Sequence, residues 1–347
     1  MNVSSWIIGI TMIRQFSFAY GNEVERYMVS SFKISDLENG KSDKEVREVL
    51  ESSGLLAIRM KSNDNYNLKS LCDCHQKFDE IPGGNRIVLD DNLTTRSTIA
   101  TATMGIDQPM SLPRKEISNV CDSNVHKEME NIRDFVSQAA FDYFIPTLDR
   151  LISKNTNTEY LMKHENGQLH QSVRSIVDDA VHLEHYHVYD KRSQELNDSK
   201  ESNKAISVDK ALDWHTDAGL FLAFLPGQSC QVDNDDDNSL RIMVQNKQLT
   251  TSNEVEMTAK FPDTNSGEII VAIMLGTGAE NWLQMKSKAN GSLLKLRATK
   301  HAVKMKKGDK RVWYGMSKCF ILNFILIFIY KKLIIFQKLI LYMFCCM

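Results

Sequence analysis

Trp214-His215-Thr216-Asp217-Ala218-Gly219-Leu220 is the stretch on which the reading of the chain turns. In extended backbone, residues i and i+2 point to the same side. His215 and Asp217 thus present an imidazole and a carboxylate to one point. Alone the pair is a weak signal, equally a histidine and an aspartate orienting each other at a strand end. Two features far downstream change its weight: His301 in Ala298-Thr299-Lys300-His301-Ala302-Val303, and Arg311 in Lys310-Arg311-Val312-Trp313-Tyr314-Gly315. Two histidines and one carboxylate make a facial triad with open positions, the set that suits non-haem Fe(II) and oxygen chemistry. A permanently charged, planar guanidinium a strand away suits bidentate capture of a carboxylate. Together they meet the needs of a metal site that chelates a keto acid.

The sequence around this motif reads as short strands between polar turns. Residues 181–189 alternate, and 218–225, 240–244, 267–275, 293–298 and 312–316 are further strand candidates. Many short strands at fairly regular spacing predict a sandwich or jelly roll. His182, Glu184, His185 and His187 crowd one strand; His185 and His187 share a face, as zinc ligands or as hydrogen-bonded residues lining a pocket or substrate entrance. Residues 191–210 read as a charged loop. Residues 233–238 (DNDDDN) read as a solvated hairpin tip, with calcium binding the lesser alternative because the EF-hand spacing and its distal Glu are absent. Trp282 and the 191–210 loop are candidates for a substrate rim.

Upstream, residues 123–153 carry a helical period: Val125, Met129, Ile132, Val136, Ala140, Tyr143 and Phe144 recur at steps of three or four, with Pro146 expected to end or kink the helix. A long amphipathic helix beside a β-rich half predicts a buttress on a sheet. Earlier still, Ser42 and Glu45 form a capping-box pattern opening a helix with Val46, Val49 and Leu50 on one face, stopped by Gly54. Residues 55–60 then read as a strand, and the Thr-rich 92–102 as extended.

The 347 residues are 42% hydrophobic and 25% charged, which excludes wholesale disorder, collagen and a multi-span membrane protein. Lys+Arg is 42 against 44 Asp+Glu, so there is no basic field to hold a nucleic acid. The 7 cysteines are odd in number and irregular in spacing, which indicates neither a zinc ribbon nor a disulfide scaffold. Cys72-Asp73-Cys74-His75 reads as a metal clasp or, more blandly, as small residues near a helix end. No nucleophile elbow, P-loop or dinucleotide fingerprint appears; Gly276-Thr277-Gly278 is too weak to count. At the N-terminus, the apolar run 6–13 followed by Arg14 reads as an extension or a secretory signal. Residues 319–347 contain no Gly, Ala, Asp, Glu, Ser, Thr, Val or Pro, and their first apolar run is shorter than the ~20 residues that cross a bilayer. They read as translated AT-rich non-coding sequence, with a membrane anchor as the alternative. The organisation expected is a 1–22 extension, a 23–178 α/β cap, a 179–316 jelly-roll domain and a 317–347 anomalous tail.

Over most of residues 32–316 the chain resembles the 2-oxoglutarate and Fe(II)-dependent dioxygenases of the plant-type, isopenicillin N synthase-like branch. Ile34-Ser35-Asp36-Leu37, a helix and then Gly54-Leu55-Leu56-Ala57-Ile58 resemble the family's N-terminal region. Residues 183–189 resemble its first barrel strand, with Tyr186 near a position that touches the co-substrate. His215-Thr216-Asp217 matches the H-x-D motif, 240–245 and 267–271 the middle strands, Gly276 the turn after them, and His301 and Arg311 the distal histidine and the oxoglutarate-binding arginine. The resemblance implies a double-stranded β-helix, mainly β with α, with a helical N-terminal region and a long buttressing helix. It implies Fe(II) held by His215, Asp217 and His301, 2-oxoglutarate fixed by Arg311 and Tyr186, ascorbate as an optional reductant, and His185, His187 and Trp282 at the substrate rim. The expected activity is hydroxylation or desaturation of a small organic substrate with O2, with no nucleic-acid partner and with membrane contact only through the 319–347 tail. Two positions depart from the pattern. His301-Ala302-Val303 stands where His-Arg-Val is common, and Arg311-Val312-Trp313 where Arg-x-Ser is usual. The missing hydroxyl would have to come from Tyr186 or Thr299. The alternatives are a jelly-roll binding protein with a vestigial site, and an iron oxidase that does not use oxoglutarate.

Overall fold

The computed structural model describes residues 25–62, 66, 68–104, 112–153, 161–163, 169–193, 210–231, 239–245, 254–264, 267–283 and 294–318. The N-terminal apolar run, most of the 191–210 loop, the DNDDDN segment and the 319–347 tail lie outside them. The N-terminal half supplies strands β1 (Arg26–Met28), β2 (Ser31–Lys33), β3 (Leu55–Lys61), β4 (Gly84–Val88), β5 (Thr94–Met104), β6 (Met162–Lys163) and β7 (Leu169–His170). The C-terminal half supplies β8 (Val181–Lys191), β9 (Lys210–His215), β10 (Phe221–Ser229), β11 (Leu240–Gln245), β12 (Glu254–Lys260), β13 (Glu268–Leu275), β14 (His301–Lys304) and β15 (Lys310–Lys318).

Thirteen of these strands form two sheets. The larger runs β2-β3-β13-β10-β15-β8-β5-β4 and the smaller β1-β12-β11-β14-β9, while β6 and β7 pair separately. From β8 onward the chain passes repeatedly between the two: β8, β10, β13 and β15 lie in the larger sheet, β9, β11, β12 and β14 in the smaller. This alternation in a mainly β protein is consistent with a jelly roll. The N-terminal strands flank the larger sheet on both edges. Between the sheets, Leu55, Ala57, Phe224, Leu240, Ile242, Ala259, Ile270, Ala272 and Met274 form one apolar cluster. Leu89, Tyr189, Ala211, Val303 and Met305 form another.

The outer face of the larger sheet is covered by helices. The first are α1 (Ile34–Glu38), α2 (Asp43–Ser52), α3 (Ser70–Cys74) and α4 (Arg114–Val120). α5 (Val125–Gln138) continues through a π-helical turn, Ala139–Phe144, into α6 (Ile145–Ser153). After α6 come α7 (Val173–Asp178) and α8 (Thr277–Trp282). The helical stripe predicted over 123–153 is the buried face: Val125, Met129, Ile132, Val136, Ala140 and Phe144 join the sheet residues Tyr186, Val188, Phe221, Ala223, Val312 and Tyr314 in the main core. α5 lies against β10 and β15, as a buttress.

Pro146 does not end this helix. It is the second residue of α6, directly after the π-helical turn. Mid-helix proline lacks a donor and presses on the carbonyl four residues back. The wider turn relieves that crowding. The Thr147 hydroxyl donates to Tyr143 O at 2.8 Å, so a nearby carbonyl keeps a partner. At α2 the expected capping box is not made: Ser42 is the N-cap residue, but its side chain makes no capping bond. The helix forms on its buried Val46, Val49 and Leu50, and ends before Gly54, whose φ is +70°.

Residues 294–300 are not the strand expected for 293–298. Their backbone donors go to separate parts of the molecule: Lys295 N to Glu51 Oε1, Arg297 N to Leu50 O, Ala298 N to Glu280 Oε2 and Thr299 N to Leu275 O. Every one of these donors is satisfied without a ladder.

The cysteines overturn their reading. Cys72 bonds Cys230 and Cys74 bonds Cys121, with Cα separations of 5.9 and 5.1 Å. The two bridges tie α3 to the end of β10 and to α4. They consume both thiols of the supposed metal clasp, and His75 is buried against Ser97. Such bonds persist in oxidising surroundings. Among the described residues no helix is long and apolar enough to cross a membrane.

Candidate metal centre

His215 ends β9, and His301 begins β14 directly opposite it in the antiparallel ladder. Cross-strand partners project to the same face, so pairing places the rings side by side, with centroids 4.2 Å apart and planes at 53°. Asp217 follows two residues after His215. One ligand atom from each of His215, Asp217 and His301 falls within 4.8 Å of the others.

The protonation of both rings follows from their neighbours. His215 Nδ1 lies 2.8 Å from Asp213 O, and His301 Nδ1 lies 3.0 Å from Thr299 O. A carbonyl only accepts, so each Nδ1 carries a proton, and in the neutral form of such a ring Nε2 is the lone pair. Burial, reinforced by His215 and opposed by Asp217, holds the His301 imidazole below its ordinary pKa, which favours the neutral ring. Asp217 Oδ2 is buried and has no hydrogen-bond partner. The cluster therefore gathers acceptors and supplies no donor between them. A cation is the simplest group that satisfies such a set, and two imidazoles with one carboxylate suit Fe(II). The carbonyls that fix each Nδ1 are the kind of outer support that orients metal-binding histidines.

The turn after β13 fixes Asp217. Thr277 N donates to Asp217 O at 2.7 Å, Gly276 N to Leu220 O and Gly278 N to Gly219 O. The Thr277 hydroxyl also donates to Asp217 O. Gly276 lies so close that a Cβ there would stand 2.2 Å from Gly219 O and 2.7 Å from Asp217 O. The Gly276-Thr277-Gly278 run is thus a backbone clamp on the ligand loop.

The triad opens into a cavity between the sheets with about 140 Å³ of free volume. That is room for roughly ten waters at ~10–15 Å³ each. His185, His187 and Tyr189 of β8, Trp313 and Ser317 of β15, and Arg96 of β5 line it. Thr98 Oγ1 lies 2.8 Å from His187 Nδ1, and His187 Nε2 lies 3.3 Å from His185 Nδ1, so hydroxyl and imidazoles form one chain. Burial, with help from Arg96, lowers the His185 pKa to about 4. Burial, His185 and Arg96 push His187 well below the ordinary value.

Three expected site residues stand elsewhere. Tyr186 faces the helices, its hydroxyl donating to Met129 O at 2.7 Å and Glu184 Oε1 at 2.8 Å. Period two forbids it from sharing a face with His185 and His187. Arg311 does not line the cavity; its Nε donates to Asp309 Oδ2 at 2.9 Å. Trp282 ends α8 and packs against the main core beside Gly278, away from the cavity lining. Thr299 is no substitute for the missing serine hydroxyl, because its Oγ1 donates to Ser53 O at 2.9 Å. Arg96, Tyr189 and Ser317 were not singled out by sequence, and Trp313 only as the residue in place of the usual serine; their position on the cavity becomes visible through strand parity combined with register.

No protein-family model matches the sequence, and no curated protein sequence does. Solved structures are similar over most of the chain. A dioxygenase for auxin oxidation from Arabidopsis thaliana, in a complex with 2-oxoglutarate, has 13% identity and a TM-score of 0.49, covering 85% of this chain and 94% of that one. The rice dioxygenase for auxin oxidation has 10% identity and a TM-score of 0.47, covering 84% and 83%. A 2OG-Fe(II) oxygenase family protein from Caulobacter crescentus has 10% identity and a TM-score of 0.47, covering 84% and 86%.

Proposed function

We propose that this protein is an Fe(II)- and 2-oxoglutarate-dependent dioxygenase, built as a double-stranded β-helix, that oxidises a small organic substrate. The observation that carries the reading is the convergence of one ligand atom each from His215, Asp217 and His301, with both Nδ1 atoms turned to backbone carbonyls and a buried Asp217 oxygen without a hydrogen-bond partner. In this reading those three groups hold Fe(II), and ascorbate is an optional reductant. Bound there with a keto acid, the metal would activate O2, the oxidant, to hydroxylate or desaturate a C–H bond while the keto acid is oxidised alongside.

The chain's own residues do the rest. Asp213 O and Thr299 O hold the two imidazoles in the tautomer and orientation that leave Nε2 free. Thr277 and Gly276 keep Asp217 in place. Trp313, Leu222, Phe224 and Met274 make one side of the cavity apolar. An apolar wall excludes water and protects a reactive centre from side reactions. His185 and His187 remain neutral there, so they can hydrogen-bond a ligand without adding charge. As substrate-rim residues they face the space that a substrate would enter.

The test is spectroscopic. Under anaerobic conditions, Fe(II) and 2-oxoglutarate should together give a visible metal-to-ligand charge-transfer band, which His215→Ala should abolish without lowering the melting temperature. A folded wild-type protein with no metal uptake would instead support the binding-protein reading. A second reading, an iron oxidase that does not use oxoglutarate, is favoured by one observation: Arg311 is turned to Asp309 and Trp313 occupies the position two residues on. Iron uptake with no response to oxoglutarate would establish it.

A further inference from the structure

The larger sheet places three side chains in one transverse row. Arg96 of β5 is directly opposite Tyr189 of β8, and Tyr189 is directly opposite Arg311 of β15. Directly opposite residues in an antiparallel ladder project to the same face. Two arginines thus flank one tyrosine, yet their surroundings differ. Arg96 and Tyr189 line the cavity and Arg311 does not. Arg311 is engaged by Asp309, two residues away. The Trp313 indole, edge-on to Tyr189 at 5.0 Å, occupies the cavity wall on the Arg311 strand.

Arg96 and all three triad residues line the same cavity. The charge of Arg96 bears on both His185 and His187, and that of Asp217 on His185. Among the described lining residues, Asp217 is the one carboxylate and Arg96 the one guanidinium. An iron(II) ion, that guanidinium and that carboxylate together leave the walls two charges positive. A keto diacid carries two negative charges and matches them, with one end on the metal and the other on the guanidinium.

Resting on the iron and keto-acid reading above, we propose that Arg96 of β5, and not Arg311, receives the distal carboxylate of the keto acid. Arg96 is 8% exposed, and its planar fork suits bidentate capture of a carboxylate. The charge needed for the co-substrate is then supplied by the strand flanking β8, from a residue that lines the cavity.

Two ligands separate the alternatives: 2-oxoglutarate, and 2-oxopentanoate, which chelates identically but lacks the distal carboxylate. Binding of each to the anaerobic Fe(II)-loaded protein is followed by the charge-transfer band, and Fe(II) affinity is measured alone. In wild type, 2-oxoglutarate should bind roughly 100-fold more tightly than 2-oxopentanoate, a buried charge pair's worth of preference. Arg96→Met should remove that preference and leave both Fe(II) and 2-oxopentanoate binding unchanged. Arg311→Lys, with its melting temperature checked, should keep it. Loss of the preference in Arg311→Lys with retention in Arg96→Met would overturn the proposal. So would a wild type that binds iron but does not prefer the diacid. Failure of wild type to bind Fe(II) at all would refute the metal reading itself, a different result from either. Should Arg96→Met not fold, Arg96→Lys serves: loss of the bidentate fork should lower the preference at least tenfold, and an unchanged preference would sink the idea.

Discussion

Strand β8 has two polar faces, and they behave as opposites. On the helix side, the Arg133 guanidinium forks onto Glu184 at 2.6–2.9 Å, the Tyr186 hydroxyl donates to the same carboxylate, and the Thr101 hydroxyl adds a third donor at 3.0 Å. Glu184 is matched in charge and in hydrogen bonds by residues of its own fold. On the cavity side, one residue along, His185, His187 and Tyr189 face open volume. A closed polar network serves stability, because removing any member strands a buried group. One that borders open volume beside three converging ligand atoms is a place for a ligand. Burial alone does not distinguish the two faces; the cavity beside one of them does.

The closed face should break most severely. Arg133→Met leaves the Glu184 carboxylate buried with two neutral donors, and the loss of one partner of such a pair costs about 3–5 kcal/mol. Urea unfolding should show this destabilisation, while Fe(II) affinity of the folded fraction stays unchanged. A cost below about 1 kcal/mol would mean that the network is not what anchors α5 to β8.

A pH titration sharpens the contrast next, because each face carries a depressed histidine. His75, on the helix side with its Nδ1 3.2 Å from Ser97 Oγ, is lowered to about 4 by burial and by Lys310. His185, on the cavity side, is lowered to about 4 by burial and by Arg96. Each binds a proton more readily in the unfolded chain, where the ordinary value is near 6.5. Stability is therefore full above pH 6.5, declines as pH falls toward 4 and is flat below. The slope is up to about 1.4 kcal/mol per pH unit for each histidine. Because His187 and His301 are depressed as well, His75→Gln and His185→Gln should each remove about a quarter of the slope between pH 6 and 5 in the metal-free protein. A slope unchanged by both substitutions would assign it elsewhere.

The sequence showed these two faces unevenly. His215, Asp217 and His301 stand out because a metal needs those residue types, and spacing brought the first two together without knowledge of the fold. The stripe from Val125 to Phe144 stands out because period 3.6 is local. Tyr186 shows a rule left unapplied: with His185 and His187 on one face, period two already sends Tyr186 to the other. Arg96 was out of reach, since only pairing with Tyr189, far along the chain, puts it beside the cavity. Residues 294–298 alternate like a strand, but alternation marks only which side is buried, and their donors found partners outside any ladder. The cysteine partners are likewise set by tertiary proximity, which odd and irregular spacing does not encode.

Gly276→Ala tests how tightly the ligand loop is held. A Cβ would meet two rigid backbone oxygens, so the turn or the loop must move. Overpacking of this kind costs about 1–3 kcal/mol. Because Asp217 O is one of those oxygens, Fe(II) affinity should also fall roughly tenfold, the scale seen when outer support of a metal ligand is disturbed. Loss of stability with unchanged iron affinity would show that the clamp does not position Asp217.

The smallest expected effect separates the two faces most cleanly. Tyr186→Phe removes one hydroxyl and leaves the ring, which packs 4.7 Å from the Tyr314 ring. Met129 O and Glu184 lose the one hydroxyl proton they share, while Arg133 and Thr101 still satisfy the carboxylate. The cost should be about 1–2 kcal/mol, that of a buried hydrogen bond with part of its partner's needs still met. The affinity of the Fe(II) protein for 2-oxoglutarate should not change, because nothing on that side of β8 faces the cavity. A weakened oxoglutarate affinity at intact stability would reverse the assignment of the strand's faces and return Tyr186 to the co-substrate site that its place in the sequence first suggested.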